Sequence, residues 1–266
     1  MSHYVLLPGI IQLSKLNLLF GMDYLGKSRL LHLLGSLTSP NLLMGNLFPA
    51  DLSCAITWFD PALRKAVVGV EGESLEYQVD GRRVPLPPRP YRVLTFGPDS
   101  PAANHLRSGA ALTVSGVARF LEIDPWAART VLTSMSELLP DVIADLSVEG
   151  ENVRFSYQQD HRKPGVPQWD FWFYSLVAFA ELQARAEPTI LVLDEPLVHV
   201  HPRGQRKMLE LFESSAWSFQ TILTEHSLVA YERRMHGWSA SVLIPEPDNR
   251  SRISQDDADL ERIAAG

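Results

Sequence analysis

With a single cysteine, Cys54, in 266 residues, the chain cannot form an internal disulfide, which suits a reducing compartment. Cys54 lies in the apolar stretch Cys54-Ala55-Ile56-Thr57-Trp58 with no cationic neighbour in sequence, so it reads as a structural thiol and is assigned no chemistry. Long apolar runs are also lacking: none approaches the roughly 20 residues that cross a bilayer. The first residues show no basic region leading into a cleavage site, so a soluble, cytoplasmic protein without a membrane partner is expected. Positive charge is scarce as well. Against 31 Asp and Glu stand 24 Lys and Arg, and the net charge of -7 excludes a wholly basic coat for nucleic acid. A local basic stripe stays compatible with that balance, and Arg82, Arg83, Arg89 and Arg92 are its candidates, although a solvated face is the simpler reading of them. Nucleic acid as a partner is therefore open but unsupported. There is no internal repeat, heptad run or low-complexity block.

What is present fits one large α/β domain, or a core with a smaller lobe: 45% of residues are hydrophobic and 21% charged, the usual balance of a globular protein. The feature that organises the rest is Gly21-Met22-Asp23-Tyr24-Leu25-Gly26-Lys27-Ser28, set between the apolar run Leu16-Asn17-Leu18-Leu19-Phe20 and the helix-forming run that Arg29 continues. A phosphate chain needs a concave ring of backbone N–H groups at a helix N-terminus, unobstructed by side chains. Gly21 and Gly26 allow the turn, Lys27 reaches phosphate as a point charge, and the Ser28 hydroxyl suits the shell of a Mg²⁺. The spacing is that of a phosphate-binding P-loop.

Residues 1–50 read as strand, phosphate loop and helix, with a Pro- and Gly-bearing connection over 36–49. Short strand-like runs at 55–59, 65–70, 74–79, 83–86 and 91–96 then predict an antiparallel meander over 51–97, with Asp80-Gly81 as a hairpin turn. Residues 98–168 predict a helical lobe, in which Asp124-Pro125 starts a helix, followed by a polar hairpin around Glu149-Gly150-Glu151-Asn152 and a loop over 162–167. A largely buried helix is expected over 169–185 within a segment ending at 245, and 246–266 reads as a polar C-terminal tail.

Thr189-Ile190-Leu191-Val192-Leu193-Asp194-Glu195-Pro196 runs four aliphatics into two acids, the pattern of a central strand that presents carboxylates at its C-terminal end. Alone, such a strand could simply stop with its acids solvated; the phosphate loop upstream favours a site. Asp194 then supports the metal and Glu195 polarises a water. Thr221-Ile222-Leu223-Thr224-Glu225-His226-Ser227 is a second buried strand, whose histidine is placed to donate a hydrogen bond to phosphate. His199 and His201 have no cysteine or third histidine nearby, which argues against zinc.

The order of these motifs resembles the ABC-type ATPases of the SMC/RecF and OLD-like group, a P-loop NTPase fold with a mostly parallel central sheet, an antiparallel β-meander and a helical lobe. The resemblance implies ATP and Mg²⁺ as cofactors, with Gly21, Met22, Asp23, Tyr24, Leu25, Gly26, Lys27, Ser28 and Arg29 on the nucleotide. It further implies Ser28 and Asp194 on the metal, Glu195 as catalytic base and His226 as switch histidine. Three departures stand out: Asp23 and Tyr24 replace the usual Asn-Gly pair, no glutamine occurs in Thr95-Phe96-Gly97-Pro98-Asp99, and Val166-Pro167-Gln168-Trp169-Asp170-Phe171 lacks the Ser-Gly signature that grips a partner's ATP. The resemblance implies a slow ATPase head that forms a homodimer or heteromer through its ATP face and drives an effector partner in DNA maintenance or phage defence. A non-catalytic ATP-dependent scaffold and a P-loop small-molecule kinase are the other readings.

Overall fold

Strands that are apolar along their whole length need cover on both faces, and here two different layers provide it. The computed structural model describes residues 5–7, 9–22, 25–35, 37–38, 53–60, 62–71, 74–97, 112–157, 167–196, 202–226 and 228–265. Strands β1 (Val5–Leu6) and β2 (Leu16–Phe20) precede helix α1 (Lys27–Gly35). Next come β3 (Ser53–Asp60), β4 (Ala62–Glu71), β5 (Ser74–Val79), β6 (Arg82–Val84) and β7 (Arg92–Phe96). The lobe comprises α2 (Val114–Leu121), α3 (Pro125–Leu138) and the hairpin of β8 (Ile143–Glu149) and β9 (Asn152–Tyr157). The remainder runs α4 (Pro167–Ala184), β10 (Thr189–Asp194), α5 (Pro202–Ser214), β11 (Gln220–Glu225) and α6 (Leu228–Glu232). It ends with β12 (Ser239–Glu246), β13 (Arg250–Ser254) and α7 (Asp257–Ala265).

The central sheet has the order β1-β13-β12-β2-β11-β10-β7, with every pairing parallel except that of β12 with β13. The two-residue period of a strand separates its faces. Leu191, Leu193, Leu223, Leu18 and Phe20 join the main core with α2, α3, α4 and α5, whereas Ile190, Val192 and Ile222 meet Leu31 of α1. Another flank of α1 carries Leu33, which packs with Ala66, Val68 and Tyr77 of the antiparallel sheet β3–β6. Helix α1 is thus held between two sheets, and the loop that starts it is fixed at its root.

Helix α4 is buried without interruption from Phe171 to Glu181. It packs on β10 and β7 and on α2 and α3, so an apolar stripe on one side would not suffice. The start of α3 is as the sequence predicts: the Asp124 carboxylate accepts from the N–H groups of Trp126 and Ala127, both at 2.9 Å, with Pro125 in the first position. Cys54 is half-buried, and burial pushes its thiol up, which fits a structural role.

Two expectations need correction. Residues 91–96 do not extend the antiparallel meander; β7 pairs in parallel with β10 at the edge of the central sheet. Its alternation of apolar residues is the same in either sheet, and only the partner strand distinguishes them. Residues 246–266 are not a tail, since β13 closes a hairpin on β12 and α7 packs on β12. The left-handed pair Asp248 and Asn249, with φ of 61° and 55°, makes that turn. Of the four arginines singled out, Arg92 lies over the Phe179 ring and bonds Gln183 at 2.8 Å, and Arg83 pairs with Glu76. The readings over 39–49, 98–111 and 162–166 fall outside the described residues. Among the described residues, no helix is long and apolar enough to cross a membrane.

Candidate functional site

Strand β2 delivers the chain to Gly21 at the C-terminal edge of the sheet. Gly21 and Gly26 have φ of 153° and 106°, conformations that side chains disfavour. A Cβ on Gly21 would lie 3.2 Å from the Leu243 carbonyl oxygen, so the loop presses directly on β12. Leu25 is buried with Leu19 and Leu243, and its carbonyl accepts from the fully buried Ser251 hydroxyl at 2.7 Å. The wall behind the loop is therefore the β12–β13 hairpin that the sequence reading assigned partly to a tail.

Lys27 opens α1 and is 5% exposed. Its Nζ donates to the carbonyls of Gly21 and Met22 at 2.7 and 3.2 Å and pairs with Glu195 Oε1 at 3.2 Å. The Ser28 hydroxyl donates to Asp194 Oδ2 at 3.1 Å, across 166 positions of sequence. Thr224, fully buried on β11, donates its hydroxyl hydrogen to Asp194 Oδ1. The Glu195 N–H in turn donates to Thr224 Oγ1 at 3.1 Å and to the Thr224 carbonyl at 3.0 Å. Those bonds hold Glu195 at a φ of 48°, a left-handed state that costs an ordinary residue about 1–2 kcal/mol. Strained backbone that neighbouring groups hold in place is common where chemistry is done.

Gly97, just past β7, completes the surround of Asp194: a Cβ there would stand 2.7 Å from Asp194 Cβ and 2.8 Å from its carbonyl oxygen. Gly97→Ala is expected to destabilise the fold by about 1–3 kcal/mol through overpacking, measured by urea denaturation. An unchanged midpoint and slope would show that the strand end yields without cost.

Of the residues singled out in sequence, Lys27, Ser28, Asp194 and Glu195 come into direct contact. Met22 lends its carbonyl and is otherwise 62% exposed. His226 is exposed one residue beyond β11, with its N–H 3.3 Å from Glu225 Oε2. Asp23, Tyr24, His199, His201 and Ser227 lie outside the described residues, as do the side chains of Arg29 and Trp169. Sequence reasoning missed Gly97, Thr224, Leu243 and Ser251. A glycine directly after a strand was the only local signal, and it marked Gly97.

The donor set suits phosphate and a hard cation. A buried ammonium stands at a helix N-terminus framed by glycines, and the hydroxyl of Ser28 and the carboxylate of Asp194 offer the oxygen ligands that Mg²⁺ prefers. No protein-family model matches the sequence, and no curated protein matches it. Solved structures do match in three dimensions. An SMC head bound to the C-winged helix domain of ScpA superposes with a TM-score of 0.59 at 14% identity, over 92% of this chain and 91% of that one. The SMC head domain from Thermotoga maritima gives 0.58 at 14% identity, over 92% and 91%. RecF-ATPrS, the recombination mediator of the RecFOR pathway, gives 0.53 at 12% identity, over 85% and 91%.

The chain has the SMC/RecF-type P-loop head fold. Asp170 stands at the start of α4 in this head. It is half-buried in the first turn of α4, and burial pushes its carboxyl up to about 6. Its charge also raises the Tyr174 phenol one turn later, after the larger effect of burial on that residue.

Proposed function

We propose that this chain is an ATPase head that binds ATP with Mg²⁺ and hydrolyses it slowly, coupling nucleotide-driven association to a partner protein. The observation that carries this reading is the convergence of the 21–28 loop and the 194–195 acids, through the Lys27–Glu195 and Ser28–Asp194 contacts. Lys27 would offset charge on the β- and γ-phosphates. Glu195 would take a proton from the water whose oxygen attacks the γ-phosphorus, as the bond to the β-phosphate oxygen breaks and ADP departs. Ser28 and Asp194 would hold Mg²⁺, which supplies charge neutralisation at the phosphates. His226, one residue past β11, would donate to the γ-phosphate and lose that bond after hydrolysis.

A second reading, an ATP-dependent scaffold subunit of a heteromer, is favoured by Asp170. A carboxylate at the start of α4 repels the phosphates that a signature segment would approach on a second copy. On either reading the partner is a protein effector, and DNA maintenance or phage defence is the setting that the family resemblance suggests.

Steady-state phosphate release by the wild-type chain at saturating ATP decides between the two. Mg²⁺-dependent release that EDTA abolishes is the expected result. Tight ATP binding without measurable release would sink the hydrolase and leave the scaffold.

A further inference from the structure

Three strand ends meet at the acid pair, and one small side chain joins two of them. In the parallel register of β10 and β11, Thr224 stands directly beside Asp194. Its hydroxyl has one hydrogen, which goes to Asp194 Oδ1, and its lone pairs face the Glu195 N–H at 3.1 Å. Asp194 Oδ2 is thereby turned towards Ser28, at 3.1 Å. The Thr224 carbonyl also accepts the Glu195 N–H, at 3.0 Å, so the peptide from which the Glu195 side chain departs is pinned twice. Solvent does not reach the Thr224 hydroxyl itself, because Thr224 is fully buried.

We propose that Thr224 is a positioning residue of the hydrolytic site: its hydroxyl sets the orientation of Asp194 and the left-handed backbone of Glu195 together, so that metal-side and water-side carboxylates are placed by one group. The inference rests on the ATPase reading above. Strand β11 also leads to His226, two residues on, so the strand bearing the switch histidine is the strand that holds both acids. A shift of its end would reach Asp194 and Glu195 through one hydroxyl.

The test compares Thr224→Val, which keeps the shape and removes the hydroxyl, with Thr224→Ser, which restores it. A bond to a charged acceptor is at stake, so Thr224→Val should lower kcat about ten- to a hundredfold. KM for ATP and nucleotide affinity in EDTA should stay within about twofold, and the Mg²⁺ concentration that half-saturates nucleotide binding should rise. Thr224→Ser should recover most of the rate. The affinity measurements use a fluorescent ATP analogue and do not depend on turnover. The proposal is overturned if Thr224→Val keeps the wild-type rate and Mg²⁺ requirement. It is equally overturned if affinity falls alike with and without Mg²⁺, the mark of a purely structural residue. Should Thr224→Val fail to fold, Thr224→Ala is held to the same criteria. If the wild type itself releases no phosphate, the hydrolase reading fails, and the Mg²⁺ requirement for nucleotide binding alone decides the role of Thr224.

Discussion

Glu195→Gln is expected to cut steady-state phosphate release about a hundredfold or more, the range in which a positioned general base contributes, while ATP binding is retained. The substitution keeps shape and removes both charge and basicity. It also changes the surroundings of Lys27, whose ammonium lies 3.2 Å from Glu195 Oε1 in a site where it is 5% exposed. Relieved of that acid, Lys27 has fewer competitors for phosphate, so ATP affinity should hold or rise. Phosphate release, equilibrium ATP binding and light scattering on the same preparation separate the consequences. A mutant that turns over at the wild-type rate assigns the base elsewhere. If the mutant accumulates an ATP-bound dimer, the head associates with its own copy; if it stays monomeric with ATP, the heteromeric scaffold favoured by Asp170 gains.

Lys27→Ala should act one step earlier, on binding. Removing one partner of a buried charged contact costs about 2–5 kcal/mol, which predicts a loss of ATP affinity of roughly thirtyfold or more. Two further effects lower the stability of the free protein. The carbonyls of Gly21 and Met22 lose the ammonium that draws the loop together, and Glu195 keeps its charge in a half-buried place without this cation. Combining Lys27→Ala with Glu195→Gln should therefore recover part of the unfolding stability that Lys27→Ala alone removes, as a double-mutant cycle would show. Fluorescent-nucleotide titration checks the main claim, and affinity within about threefold of wild type would rule out Lys27 as the phosphate cation.

The two substitutions probe the part of the site that spacing made legible. Gly21, Gly26, Lys27 and Ser28 are recognisable because the motif is a local device: its glycines, cation and helix start lie within eight consecutive positions. The acid strand is legible for a similar reason, since four aliphatics followed by Asp194 and Glu195 describe burial and its end in one short run. What surrounds these residues could not be read in that way. Gly97, Thr224, Leu243 and Ser251 come from four other strands or strand ends, and each matters through close approaches or hydrogen bonds to residues far away in sequence.

By itself, then, the amino-acid sequence determined the mostly parallel α/β character of the chain, the glycine-framed motif that opens α1 and the acid pair that ends β10, because turns, strand periodicity and helix starts are short-range properties of neighbouring residues. Tertiary structure alone decided that β7 joins the central sheet, that the β12–β13 hairpin backs Gly21 and Leu25, and that Thr224 links both acids. Those outcomes depend on which buried strands lie side by side, and the partner of a strand is chosen by packing across the whole core rather than by the pattern within it.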